Sequence, residues 1–456
     1  MPLDSEKLEQ LRTALRGPLL LPADPGYDEA RTVWNGMIDR HPPLIVRATG
    51  NADVIAAVNF ARENNLPVSV KGGGHSAAGT AVSDTALMID LSMMDGVHVD
   101  PKTRRAKVQG GATWGIFDRE CQVYGLASTG GVISTTGVGG LTLGGGFGYL
   151  MGRHGLAIDN LVSLEIVTAA GEVVTASAGE NPDLFWALRG GSGNFGIVTS
   201  FDFSVHPVGP IVTGGLAAWP IAMAPQVLDF YRSFTAEDSD DLTTFLGFTG
   251  APDGSGNLIA AIIAMHAGSM EDGARAVQPI KDFGPPMMDM LGPIPYVAQQ
   301  SMMDAGFPPG AEVYWKAAFI NGLSDEALSA FNERAQALPT PNSAIVIENF
   351  HGAVRRVAPD ATAFPERNAP YNVAIIAVWH EPADADRCIA WARATHDALQ
   401  PFSTGVVYIN YLGVGDEPER VRDAFGTNYE RLAGIKQTYD PGNLFSANQN
   451  IRPVGS

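Results

Sequence analysis

KGGGHS, residues 71–76, follows the short apolar stretch Leu66-Pro67-Val68-Ser69-Val70 and sets three residues without side chains beside one imidazole. Val68 to Val70 reads as a strand, and a glycine triplet directly after it reads as a loop whose backbone approaches something closely. Glycine's entropic cost is tolerated mainly for that purpose. Upstream, Asn51 to Asn64 has helical spacing with an Asn cap, and Ser5 to Arg16 makes an earlier helix with a Ser start and Gly17 as its stop. Downstream, Val97 to Val99 and Arg105 to Gln109 flank Asp100-Pro101-Lys102-Thr103, a hairpin turn by its residue types.

From Gly110 to Gly148 about a third of the residues are glycine, against about 7% in an average protein. Strands follow at Leu161 to Thr168 and Val173 to Thr175, then a second glycine-rich piece from Arg189 to Gly196. After Pro207-Val208-Gly209-Pro210 the texture changes. Asn257 to Met265 and Asn372 to Trp379 read as buried strands. Helical segments lie at Ala224 to Thr235, Met270 to Phe283, Asp325 to Leu338 and Ala383 to Leu399, and one more runs from Glu417 to Tyr439. The alternation predicts an α+β fold with helices on one face of a sheet. Three segments are expected: 1–210, a substrate-binding α+β domain over 211–415, and a C-terminal segment, 416–456, that returns to the first domain.

Hydrophobic residues make up 45% of the 456 and charged residues 17%, a globular composition. A formal charge of −19 argues against nucleic acid or an anionic membrane as partner. The two cysteines, Cys121 and Cys388, have no CxxC spacing, and the nine histidines form no HxH or HExxH cluster, so no metal site is expected. The N-terminal residues lack an apolar stretch of signal-peptide length, and no run is long enough to span a membrane. A cytoplasmic protein is the expectation.

Gly191 to Gly196 matches GxGxxG literally, but a Rossmann turn needs a strand before it, a helix opening on the glycines and an acidic residue about 20 positions on. Here Trp186-Ala187-Leu188-Arg189 precedes it, a strand-like stretch follows and no acid lies at that distance. Ser76 is not in a nucleophile elbow, because position 78 is Ala where that turn needs Gly. What remains is a ligand held by backbone. Consecutive small residues form concave nests of N–H groups that bind phosphate oxygens. KGGGHS and the stretch Gly137 to Gly148 are both of this kind and suit the two sides of one long, flat cofactor, although tight turns in a packed domain would use the same glycines.

KGGGHS, GGVISTTGVGGLTLGGGFGYL (130–150), GLAIDN (155–160), ENPDLFWALRGGSGNFGIVTSF (180–201), YINY (408–411) and YDPGNLFSANQNI (439–451), in this order, resemble the flavoenzyme family of berberine bridge enzyme and 6-hydroxynicotine oxidase. The resemblance covers nearly the whole chain. It implies a two-lobed FAD-binding domain of vanillyl-alcohol oxidase type, plus an antiparallel-sheet substrate domain with helices on one face. The implied activity is hydride removal from a CH–OH or CH–NH group of a small molecule, with O2 reoxidising the flavin to give H2O2. A dehydrogenase with another acceptor, or a non-redox nucleotide-binding protein, are the alternatives.

Residue by residue, the resemblance makes His75 the covalent attachment point of FAD. Ile133 stands where many relatives carry a second tethering cysteine, so a single bond is implied. Gly131 falls where a small residue leaves the flavin open to oxygen. Tyr411 is implied as catalytic base, for which an ordinary phenol needs a lowered pKa, and Tyr408 as a cofactor contact. On a strand these two rings would point to opposite faces. The implied cofactor contacts are Lys71, Gly72, Gly73, Gly74, Ser76 and Gly79 in the first loop. In the second they are Ser134, Thr135, Gly137, Gly139, Gly140, Thr142, Gly144 and Gly145, and Val198, Asn448 and Asn450 complete the set. Glu348, His351, Arg367 and Tyr371 are implied substrate-side residues.

Overall fold

The computed structural model describes residues 4–237, 239–416 and 418–455. Its first lobe is a four-stranded sheet in which Leu44–Arg47 and Val68–Lys71 run parallel to the central Leu87–Asp90. The helix Asn51–Glu63 lays Val54, Ala57, Val58 and Ala61 on it. That helix has Gly50, not an Asn, at its cap, and the first helix, Ser5–Ala14, is capped by Asp4, whose carboxylate accepts from the Glu6 amide. The second lobe is a five-stranded antiparallel sheet, in the order Val97–Asp100, Arg105–Gln109, Ile197–Ser204, Leu161–Val167, Val173–Ser177. The hairpin expected at Asp100 to Thr103 forms, with the Asp100 carboxylate accepting from the Lys102 amide.

The third layer is an eight-stranded antiparallel sheet whose central strands are Leu258–His266, Leu242–Gly250, Ala344–Asn349 and Tyr371–Trp379. All nine residues of Tyr371–Trp379 are buried, because both faces are covered. Val373, Ile375 and Ala377 pack under the helices Ala224–Phe234, Asp325–Gln336 and Ala385–Leu399. Ala374, Ile376 and Val378 face the other way, toward Trp34, Trp315 and Tyr411. The period-two alternation therefore sorts the sheet into a structural face and a functional one. Cross-strand registers carry the functional face along two rows: Phe245, Glu348, Asn372, Phe319, and next to it Gly247, Val346, Ala374, Ala317.

The single helix expected from Glu417 to Tyr439 is two, Pro418–Phe425 and Tyr429–Tyr439, broken where Gly426 takes φ +49°; Glu417 lies outside the described residues. Lys436 then anchors the tail. It is fully buried, pairs with buried Asp440 at 2.6 Å and donates to the carbonyls of Asn194 and Phe445. Burial pulls its pKa down against the pull of Asp440. Removing one partner of such a pair strands the other charge, so Lys436→Met is expected to cost about 3–5 kcal/mol, read as a fall in the denaturant midpoint. An unchanged midpoint would mean that the pair does not hold the tail.

Candidate functional site

The two glycine loops cross at van der Waals distance. A Cβ on Gly73 would lie 2.3 Å from the Gly137 amide nitrogen, and one on Gly137 would lie 2.4 Å from that of Gly73. Neither position has room for a side chain, so these two glycines join the loops to each other. Beside the crossing runs a cleft with a cavity volume of about 140 Å3, lined among others by Ser69, Gly72, Gly140, Gly193, Val198 and Asn448. A Cβ on Gly140 would meet nothing within 4 Å. Among the described residues no charged side chain lines the cleft, which leaves backbone N–H groups to hold any anion there. The side-chain oxygens of Ser69 and Asn448 are buried in it without a partner. A polar, anionic, elongated ligand fits these features, and buried polar atoms of this kind call for one.

Several residues expected at the cofactor have partners within the protein. Lys71 turns its ammonium away, to the carbonyls of Ala30 and Thr32. Ser76 accepts from the amide and hydroxyl of Thr80, and Gly79, at φ +68°, lies against Ile38. Ser134 donates to Asp304. Gly144 abuts Asn410, and Gly145 abuts Phe364 and Tyr408. Gly74 takes φ +69° and accepts from the Trp34 amide through its carbonyl. Gly139 lies in the cleft, whereas the buried oxygens of Thr142 and Asn450 have no partner in the protein. The Gly191 to Gly196 loop, no Rossmann turn, still lines the cleft through Gly193 and Gly196 because Asn448 clasps the Gly193 carbonyl at 3.0 Å.

His75 stacks on Trp34 with ring centroids 5.1 Å apart, and its Nε2 lies 2.8 Å from the Thr135 hydroxyl. Burial lowers its pKa to about 4, so the imidazole is neutral and nucleophilic at neutral pH. Trp34 belongs to the same apolar cluster as Trp315 and Tyr411, which links the histidine to the sheet.

Tyr408 and Tyr411 do not point apart. Ile409–Tyr411 is a 3-10 turn rather than a strand, and the two rings meet edge to face at 5.0 Å. Tyr408 is buried, with its hydroxyl accepting from the Gly146 amide and from Asn410. The Tyr411 hydroxyl donates to Glu348 Oε1 at 2.8 Å, and Asn372 donates to Glu348 Oε2 at 2.6 Å. Burial, outweighing these two donors, raises the Glu348 pKa to about 8. Tyr411 is pushed well above its ordinary value by burial and by the neighbouring carboxylate. A tyrosinate at neutral pH, as the reading of Tyr411 as base requires, finds no cation among the described groups that shift Tyr411.

The other residues expected on the substrate side have partners within the protein. Tyr371 lies on the helix face of the sheet with its hydroxyl 2.6 Å from that of Thr235. Arg367 is fully buried in a bidentate pair with Asp159. His351 is wedged against Gly152, with Nδ1 at 3.1 Å from the Asn349 carbonyl. Gly131 has a packing reason to be small, since a Cβ there would lie 2.8 Å from Leu141. Sequence reasoning missed Asn372 and Trp34. The only signal for Asn372 was a polar residue opening an otherwise apolar strand.

A model of the FAD binding domain matches residues 42–177, and a model described as berberine and berberine like matches residues 407–452. An FAD-linked oxidoreductase of Dictyostelium discoideum is 31% identical over 425 residues, covering 92% of this chain and 91% of its own. The chain belongs to the FAD-linked oxidoreductases of berberine bridge enzyme type. Among relatives of this enzyme, (R)-6-hydroxynicotine oxidase of Paenarthrobacter nicotinovorans is 29% identical over 97% of this chain and 98% of its own. The solved 6-hydroxy-D-nicotine oxidase of Arthrobacter nicotinovorans superposes with TM-score 0.88 at 27% identity, covering 96% and 98% of the two chains. A berberine bridge enzyme-like protein of Physcomitrella patens shares the fold, with TM-score 0.88 at 23% identity over 98% of this chain and 99% of its own. The enzyme is thus an FAD flavoprotein oxidoreductase, and the non-redox reading falls. No helix among the described residues is long and apolar enough to cross a membrane.

Proposed function

We propose that this enzyme oxidises a CH–OH or CH–NH carbon of a small molecule, with Glu348 accepting the heteroatom proton through Tyr411, and passes the electrons to O2. The hydrogen-bonded chain from half-buried Tyr411 to buried Glu348 and Asn372 carries the reading. When bound, FAD supplies the hydride acceptor. The protein supplies the proton path. As the substrate heteroatom loses its proton to the Tyr411 oxygen, Tyr411 passes its own to Glu348 Oε1, so the phenol never needs to ionise. Asn372 holds the second carboxylate oxygen and fixes the first toward Tyr411. Glu348, with a pKa near neutrality, suits proton acceptance far better than Tyr411, whose pKa is raised.

In this reading FAD would be held by the glycine cleft and by one covalent bond through His75, whose neutral ring stacks on Trp34. Cys121 is no second tether: it is buried, and burial holds its thiol protonated. The oxidase assignment rests on the relatives named above, because Leu141 already accounts for Gly131. Stopped-flow mixing of the reduced enzyme with air decides it. Reoxidation within seconds is expected, and a reduced flavin that survives for minutes would instead mark a dehydrogenase.

A further inference from the structure

Beside Glu348 the functional face of the sheet is hollow. Gly247 is buried, yet among the described residues the only atom within 4 Å of a Cβ built there is the Ala261 carbonyl oxygen, at 4.0 Å. Its neighbours across the strands are Val346 and Ala374. Val346 is the one residue of Ala344–Asn349 that is not fully buried. Trp315 and Tyr411, both half-buried, stand beside it with ring centroids 4.8 Å apart, and Val346 packs in the same cluster. A buried strand position with open space over it, floored by small residues and walled by two rings, is a slot shaped for a flat apolar body.

Its polar end is equally specific. In the two rows that bracket the slot, Glu348 and Asn372 are the only polar side chains, and the Asn372 Oδ1 is buried without a partner. One heteroatom is served by Tyr411 and Glu348, and at most one donor by Asn372. A sugar would bring several hydroxyls into a surface of Gly, Val, Ala and aromatic rings, and each would lose its water without gaining a partner.

Resting on the proposed role of Glu348 and Tyr411, we infer that the substrate binds over Gly247, Val346 and Ala374 and is a ring-bearing, largely apolar secondary alcohol or cyclic amine with one reacting heteroatom, not a polyhydroxylated sugar. Hydride and proton leave together from that one C–H and O–H or N–H pair, giving a ketone or an imine.

The test uses the flavin-loaded enzyme and separates binding from turnover. Indanone, a ketone of the product class, is expected to perturb the visible flavin spectrum saturably, and gluconolactone at equal concentration is expected not to. In Gly247→Val, whose branched side chain fills the slot, the indanone affinity is expected to fall about tenfold or more, with Gly247→Ala intermediate. Unchanged flavin content serves as the sign that the variants have folded. A comparable perturbation by gluconolactone, no perturbation by indanone, or an indanone affinity untouched in a flavin-replete Gly247→Val would each overturn the inference. Anaerobic bleaching by indanol or phenylpyrrolidine, with none by glucose or cellobiose, supports both readings. Indanone binding without bleaching by any of the four supports the slot and sinks the proposed reaction.

Discussion

Glu348→Gln is expected to slow anaerobic flavin reduction by substrate about a hundred- to ten-thousand-fold, the range spanned by loss of a positioned general base. The amide keeps the size of the carboxyl and keeps an oxygen to accept from Tyr411, so the change removes proton affinity with little else. The pH profile makes the prediction sharper. The raised pKa, about 8, means that the base is mostly protonated at neutral pH. The wild-type rate should therefore climb as pH rises through about 8, and the variant's residual rate should be flat there. Linkage gives a second, independent readout. Glu348 binds its proton more tightly folded than unfolded, with the ordinary value 4.5 against about 8, so its contribution to stability declines as pH rises between those values. Melting temperatures of wild type and variant should diverge across that window, in favour of the variant at the alkaline end. A variant that keeps near wild-type reduction rates and the same pH dependence would remove Glu348 from the mechanism.

His75→Ala is expected to release the whole of the flavin on acid precipitation, whereas the wild-type protein is expected to keep its yellow colour in the pellet. The denatured wild-type band should fluoresce in a gel, and the variant's should not. FAD should still bind reversibly, because the cleft from Ser69 to Asn448 does not depend on the imidazole. No other group is placed to replace the tether. Ile133 offers no nucleophile, and the Cys121 thiol is buried and held protonated. Turnover should fall as well, since the ring packed on Trp34 helps to set where the flavin lies relative to the Trp315 and Tyr411 cluster. Fluorescence retained in the denatured variant would assign the bond to a different residue.

How far the site was legible from the chain depends on how far apart its parts lie. The glycine loops, the hairpin at Asp100 to Thr103 and the buried strand ending at Trp379 each depend on a few consecutive residues, and each formed where expected. The tyrosines at 408 and 411 were legible as a pair but not in orientation, because a 3-10 turn replaced the period of a strand. Lys71 was read by its neighbourhood in the glycine loop. Its long side chain instead reaches the Ala30 and Thr32 carbonyls about 40 residues away in sequence. Arg367, one of four polar residues picked out on the same grounds, meets Asp159 across 208 positions and becomes part of the scaffold.

By itself the sequence determined the class of ligand and the local devices for holding it. Glycine-only backbone, a lone histidine after it and alternating apolar strands follow from steric and hydrophobic rules that act over a few residues. Only the tertiary structure singles out a carboxylate for the proposed role of base. Glu348 and Tyr411 lie 63 positions apart, and their meeting depends on strand register and on the turn that follows Tyr408. The proton affinity of Glu348 arises from burial between two layers, and the hollow over Gly247 exists only because Val346 and Ala374 flank it in the sheet. Desolvation and empty space belong to packed surroundings, and no single stretch of chain carries them.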